Sequence, residues 1–221
     1  MPLQTFLNLT QERRQMILDA AYEEFALNSY SKASLSNIIR KLELAKGSFY
    51  RYFSSKKELY MYLLRNATEM RLDNVMEMLG SEEKSLYEKL VENFVMKVKF
   101  DLQYPVISGF LYNVMLEKEN HEIGMVEKIM RNEIDILIKK LLEIHIGKGE
   151  IRKDIDIDVL SFTIMQVQIG IYSFIEKKYN LNFRKNIREK KPVFSIPEEE
   201  IVTTIKAFGT ILEKGFLNDK K

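Results

Sequence analysis

Between Ser34 and Phe53 the chain reads SLSNIIRKLELAKGSFYRYF, and this stretch constrains the fold more than any other. Leu35, Ile38, Ile39 and Leu42 recur at helical spacing, with the hydroxyl of Ser34 or Ser36 placed to cap the first turn. Glu43 and Leu44 interrupt the pattern and make a turn. A second short helix is expected from about Ala45 to Tyr52. Its apolar side is Leu44, Phe49 and Phe53, and its other side carries Lys46, Ser48, Tyr50, Arg51 and Tyr52. Two short helices joined by a turn, the second rich in donors and aromatic hydroxyls, is the layout of a DNA-reading helix-turn-helix.

The charge distribution points the same way. From Lys32 to Lys57 there are seven cations and one anion, Glu43, a net of +6 on a chain whose total is +2, so the remainder is net acidic. Such a cluster suits a phosphate backbone, because neutralising each phosphate releases counterions. Charge alone does not separate this from a solvated basic face.

The segment KGSFYRYFSSKKELY, preceded by the apolar helix RRQMILDAAYEEFA, resembles the DNA-binding domain of the TetR family of bacterial transcriptional regulators. The resemblance runs from about Arg13 to Leu64, and its most specific part is Lys46 to Phe53. It implies three helices and then a fourth that joins them to an all-helical regulatory domain. It also implies that Ser34 caps the second helix near a phosphate and that Lys46, Ser48 and Tyr50 face the groove. Tyr52 would touch the backbone, and Lys56 would open the fourth helix beside a phosphate. Ala45 and Arg51 complete the candidate DNA-binding set. Three positions depart from the family pattern. Glu43 stands where the turn usually has glycine, so a left-handed backbone is expected at a residue with a Cβ. Ala45 stands where a serine or threonine usually supplies a capping hydroxyl. Ile39 replaces a small residue of the second helix.

With 221 residues and 46% apolar content, the chain holds enough buried surface for one large or two modest domains. The absence of cysteine excludes disulfides and thiolate metal sites. No apolar stretch approaches the roughly 20 residues of a membrane span, and the first residues lack the pattern of a secretion signal. A soluble, cytoplasmic protein is expected. Four prolines and nine glycines leave room for few tight turns, so the expected fold is all-α. The expected domains are residues 1–55 for DNA binding, 56–80 as a connecting helix, and 81–221 for regulation and dimerisation.

Outside the reader, the first long helix is expected over about 9–28 with Asn8 or Thr10 as cap and Ile17, Leu18, Ala21, Tyr22 and Phe25 buried. Gly80-Ser81 ends the connecting helix. Further helices are expected over about 82–102, from Pro105, over 122–146 ending at Gly147, from Asp156 or Asp158 to about Tyr179, and from Pro197 to Phe216. Residues 180–197 form a long basic loop.

The helix ending at Tyr179 is apolar nearly all round, so more than one neighbour must cover it. The resemblance implies that it and the last helix pack against their two-fold mates. The candidate dimer residues are Phe162, Ile169, Phe174, Ile201, Ile205, Phe208 and Leu212. A regulatory pocket is expected among the intervening helices, lined by Phe94, Tyr104, Phe110, Tyr112, Met115, Met125, Phe162, Met165, Gln166 and Tyr172. Its ligand would be a small apolar or amphipathic effector, although aromatic and methionine stripes at this spacing also build plain core.

Catalytic sets are missing. The two histidines, His121 and His145, are read as surface or helix-end residues. Neither completes a Ser/His/Asp set or the Glu-x-x-His spacing of a di-iron bundle, and there is no phosphate-binding loop. No enzyme activity, cofactor or metal is expected. The sequence reading is a ligand-responsive repressor that binds a palindromic operator as a homodimer. Two alternatives stay open: a helical ligand-binding or interaction protein with a degenerate reader, and an activator without effector.

Overall fold

The computed structural model describes residues 2–79, 84–117, 122–124, 126–189 and 191–216. Met125, His121 and the Gly80-Ser81 break lie outside them. The fold is all-α among the described residues. In chain order the helices are α1 (Gln4–Leu7), α2 (Gln11–Leu27), α3 (Leu35–Lys41), α4 (Lys46–Tyr50), α5 (Lys56–Leu79) and α6 (Leu86–Gln103). They continue with α7 (Pro105–Leu116), α8 (Val126–Gly147), α9 (Ile157–Lys178), α10 (Phe183–Arg188) and α11 (Glu198–Phe216).

Short sequence signals set many of the boundaries. Thr10 Oγ1 accepts from Arg13 N at 3.3 Å and starts α2. Ser85 and Glu88 form a reciprocal capping box at α6: Ser85 N donates to Glu88 Oε2 at 2.8 Å, and Glu88 N to Ser85 Oγ at 3.3 Å. Asp156 Oδ1 takes the N–H groups of Asp158 and Val159 at 2.7 and 3.2 Å and starts α9. Pro105 opens α7, where its missing N–H costs nothing.

The chain divides into two compact units. The first comprises Met1–Arg71, Gln103–Glu127 and Phe183–Val193, so α7 and α10 join the N-terminal helices. Its core is the expected α2 stripe of Ile17, Leu18, Ala21, Tyr22 and Phe25, joined by Ile38, Phe49, Phe53, Leu59, Tyr60 and Leu63. Phe110 of α7 is fully buried among Tyr22, Tyr60 and Phe25, with ring centroids 5.5, 5.3 and 6.3 Å away. Asn113 Nδ2 caps the end of α2 by donating to Phe25 O at 2.9 Å and Ala26 O at 2.7 Å. Arg184 of α10 holds Asn113 Oδ1 at 2.9 Å. Gly109 lets α7 pass close to α10, since a Cβ there would overlap the end of Ile187.

Residues 180–197 are therefore not simply a loop. Phe183, Asn186 and Ile187 are buried, and Asn186 Nδ2 donates to Val193 O at 2.9 Å. The charges of Arg184, Lys185 and Arg188 hide this inward face in the sequence.

The second unit comprises Leu72–Leu102, Lys128–Asn182 and Phe194–Lys221. Leu86, Leu90, Ile138, Leu142, Leu160, Ile164, Met165 and Leu212 form its core. The Ile157–Lys178 helix is long and apolar enough, by length and composition, to cross a membrane, contrary to the sequence expectation that no stretch is. Its inner face is tied into this unit by polar contacts as well as by the core: Lys97 Nζ meets Gln168 Oε1 at 2.8 Å, and Tyr172 OH donates to Asp101 Oδ2 at 2.6 Å. Ser161 also bonds Asp135. His145 ends α8, but it is fully buried rather than at the surface.

Candidate nucleic-acid interface

The turn between α3 and α4 is closed by Glu43 N donating to Arg40 O and Leu44 N to Ile39 O, both at 3.1 Å. Glu43 lies at φ 52°, the left-handed conformation its position requires. Past the turn, α4 is only five residues long. Phe49 and Phe53 are completely buried and face the unit's core. Lys46, Tyr50 and Arg51 are exposed on the opposite side, with Ser48 and Tyr52 half-buried at its edges. The expected division into an anchored and a free side is the one the structure has, which leaves two cations and a phenol free to meet a partner.

The expected hydroxyl cap at Ser34 fails, and the one at Ala45 is missing, as its side chain dictates. Ser34 occupies the N-cap position of α3, but its side chain makes no capping bond. Its amide donates instead to Glu24 Oε1 at 2.8 Å, and Asn37 Nδ2 reaches the same oxygen at 3.3 Å. A carboxylate from α2 thus fixes the start of α3, so Ser34 Oγ is not used as a cap. Ala45 is the N-cap of α4 and is exposed, with no side-chain oxygen to offer.

Lys56 opens α5, half-buried, with its ammonium 4.4 Å from the Tyr30 ring centroid. Tyr30 is held on two other sides. Its amide donates to both Glu117 oxygens at 2.8 and 3.0 Å, and its hydroxyl to Glu122 Oε2 at 2.7 Å. Burial and the Glu122 carboxylate keep the Tyr30 phenol well above its ordinary value. Ser54 and Ser55 bracket the entry to α5: Glu58 accepts from Ser54 N and Ser54 Oγ at 2.6 and 2.7 Å and donates its own amide to Ser55 Oγ at 3.1 Å. Across α2 and α5, Tyr22 OH donates to Leu63 O at 2.9 Å, and burial pushes its phenol up to about 12. The exposed side of α4 therefore sits on a platform braced by hydrogen bonds as well as by apolar packing.

The profile of the family described as "Bacterial regulatory proteins, tetR family" matches residues 17–63, which run from within α2 through the helix-turn-helix into the start of α5. The chain belongs to the TetR family. The crystal structure of a TetR family transcriptional regulator from Chloroflexus aurantiacus covers 99% of both chains at TM-score 0.79 and 25% identity. The HTH-type transcriptional regulator YvdT of Bacillus subtilis is 36% identical over 74 residues, 34% of this chain and only 38% of the length of YvdT. The fatty acid metabolism regulator protein of B. subtilis is 22% identical over 174 residues, 75% of this chain and 86% of that protein. The chain spans less than half the length of YvdT and of YuxN, another B. subtilis HTH-type regulator it matches, 38% and 48% of each.

In this TetR-family chain the residues expected to line a pocket divide between the units. Tyr104, Phe110, Tyr112 and Met115 fall in the first. There Phe110 is core, and Tyr112 meets the Phe183 ring edge-on at 5.0 Å. Phe94, Met165 and Tyr172 fall in the second, close to the Lys97–Gln168 and Asp101–Tyr172 bonds. Phe162 and Gln166 are exposed on the outer face of α9 and do not line any interior.

The dimer set also splits. Ile201, Ile205 and Leu212 are buried inside the chain's own second unit, 0%, 0% and 6% exposed, which removes them from any surface offered to a second copy. Phe162 and Phe174 are exposed, and Ile169 and Phe208 are half-buried. The sequence reading missed Val159 and Ile211, which at 57% and 68% are among the most exposed large apolar side chains. Helical periodicity marks an apolar stripe but not whether the chain or a partner covers it. Among the described residues no cluster of three or more His, Asp or Glu is placed to hold a metal ion.

Proposed function

We propose that the chain is a cytoplasmic, ligand-responsive repressor that binds a pseudo-palindromic operator as a homodimer. One observation carries the DNA-reading part. The Phe49 and Phe53 side of α4 is wholly buried, while Lys46, Tyr50 and Arg51 stand exposed on the other side within a strongly basic segment. Lys46 and Arg51 supply cations for phosphates or guanine edges, and Tyr50 supplies a donor and an apolar ring.

The homodimer reading is supported by the outer face of α9. Val159, Phe162 and Phe174 are exposed there, with Gly170 and Ser173 between them, and small residues allow a partner helix to come close. Phe174 stacks edge-on with Phe208 of α11 at 5.2 Å, which continues the apolar surface toward Ile211. A helix-turn-helix dimer spaces its recognition helices about one duplex turn apart, ~34 Å, so the operator is expected to be an inverted repeat.

The effector is proposed to be small and apolar or amphipathic, bound in the second unit beside Phe94, Met165 and Tyr172. The buried Asp101 and the Lys97–Gln168 bond would supply polar anchors there. The name of the B. subtilis relative, a fatty acid metabolism regulator, fits that class. Effector and operator oppose each other only if the effector binds the DNA-competent and released states with different affinity. The α5 helix, whose residues belong to both units, is the proposed carrier of the change.

Substituting Lys46→Ala or Tyr50→Ala should weaken operator binding by about 5- to 150-fold if the side chain reads a base edge, with dimer mass unchanged. Fluorescence anisotropy and light scattering measure the two. Unchanged affinity in both variants would remove α4 as the reader. For the effector, a fatty-acid and detergent-like series is scored by thermal shift and by loss of operator binding. A compound that raises Tm and releases DNA supports the reading; no shift across the series contradicts it.

A further inference from the structure

We propose that the segment from Leu3 to Leu9, which holds α1, is a staple that sets the position of the recognition helix, with Thr5 and Phe6 as its positioning residues. The inference rests on α4 being the DNA reader. A five-residue helix is far below the ~12–15 residues at which a helix holds itself together in water, and α4 has no side-chain cap at Ala45. Its placement must come from outside. Phe49 and Phe53 anchor one side, but the carbonyls where the chain leaves α4 have no further helical turn to bond. The N-terminal segment takes them. Leu3 N donates to Tyr52 O at 2.9 Å, and the Thr5 hydroxyl donates to Arg51 O.

Phe6 wedges the same region from below. It is fully buried, with its ring centroid 4.8 Å from Phe53, 5.6 Å from Tyr62 and 6.3 Å from Tyr52. The segment closes on itself where Leu9 N donates to Phe6 O at 3.1 Å, and Arg14 Nη1 of α2 ties it to the first unit by donating to Leu7 O at 3.1 Å. The staple binds only the backbone of Arg51 and Tyr52. The Arg51 side chain remains exposed and the Tyr52 ring half-exposed. The segment therefore fixes where two candidate DNA contacts start while leaving their side chains free, and a reader needs that combination.

The test compares Thr5→Val and Thr5→Ser in the full chain. Affinity is measured for the selected operator and for a scrambled duplex of equal length, with thermal unfolding recorded alongside. Losing the hydroxyl in Thr5→Val should weaken operator binding roughly three- to ten-fold, with affinity for the scrambled duplex unchanged. Thr5→Ser keeps the donor and should restore operator binding. A merely structural role would lower Tm and leave the operator-to-scrambled ratio unchanged, and that result overturns the staple. Lys46→Ala and Tyr50→Ala are run in parallel. If they weaken binding and Thr5→Val does not, the staple alone is wrong; if none of the three does, the assignment of α4 as the reader falls and the staple with it.

Discussion

Glu43 shows how one residue's strain is readable both in the sequence and in the fold. A side chain at φ 52° costs more than glycine would, because its Cβ crowds the following carbonyl. Glu43→Gly is expected to stabilise the protein by about 0.5–1 kcal/mol, once the extra chain entropy of glycine is subtracted. Urea unfolding measures this, and a loss of stability would mean that the glutamate side chain holds the turn. His145 makes a second prediction. It is buried, Nδ1 lies 3.0 Å from Glu150 Oε2 without hydrogen-bond geometry, and Glu150 also accepts from Leu86 N at 3.1 Å. Burial holds the imidazole below its ordinary value of 6.5, against the pull of Glu150 and with the help of Lys89 and Lys148. The unfolded chain therefore binds one more proton once the pH falls below about 6.5, so this contribution is complete above that value and is lost as the medium acidifies. The urea midpoint is expected to fall between pH 7.5 and 5, and His145→Gln should flatten that fall.

At the level of elements, the inner and outer faces of α9 and α11 predict opposite consequences for mutations of similar size. Ile205 is sealed in the second unit, so Ile205→Ala should lower stability by about 2–5 kcal/mol. Ile211 and Phe162 are exposed, so Ile211→Lys with Phe162→Lys should leave the unfolding of the isolated protomer near wild type and shift the sedimenting species from dimer to monomer. An unchanged dimer would move the interface elsewhere. The sequence makes the existence of these helices plain, because capping residues such as Thr10, Ser85 and Asp156 stand at the start of long apolar periods. It hides two of the short ones, α1 and α10. The QTFL of α1 carries no cap and one apolar anchor, and the Phe183–Ile187 pair of α10 is masked by cations on either side. It is equally silent on which stripe of an all-round apolar helix the chain buries itself.

For the whole molecule, the reader is the best-determined part, since local spacing, charge and family resemblance all specify α3, the Glu43 turn and α4. The proposed effector site is less legible, because ligand-lining and core residues share one composition. Phe110, expected in a pocket, is core of the first unit, while Asp101 and Lys97, which mark the polar seam of the second, carry no periodic signal. The measurement that tests the central claim most directly is selection of bound genomic fragments by the purified protein at two salt concentrations. The account predicts enrichment of one inverted-repeat site, with log affinity falling linearly and steeply against log salt as phosphate contacts release counterions. Recovery of no preferred sequence, or an affinity flat in salt, would contradict it.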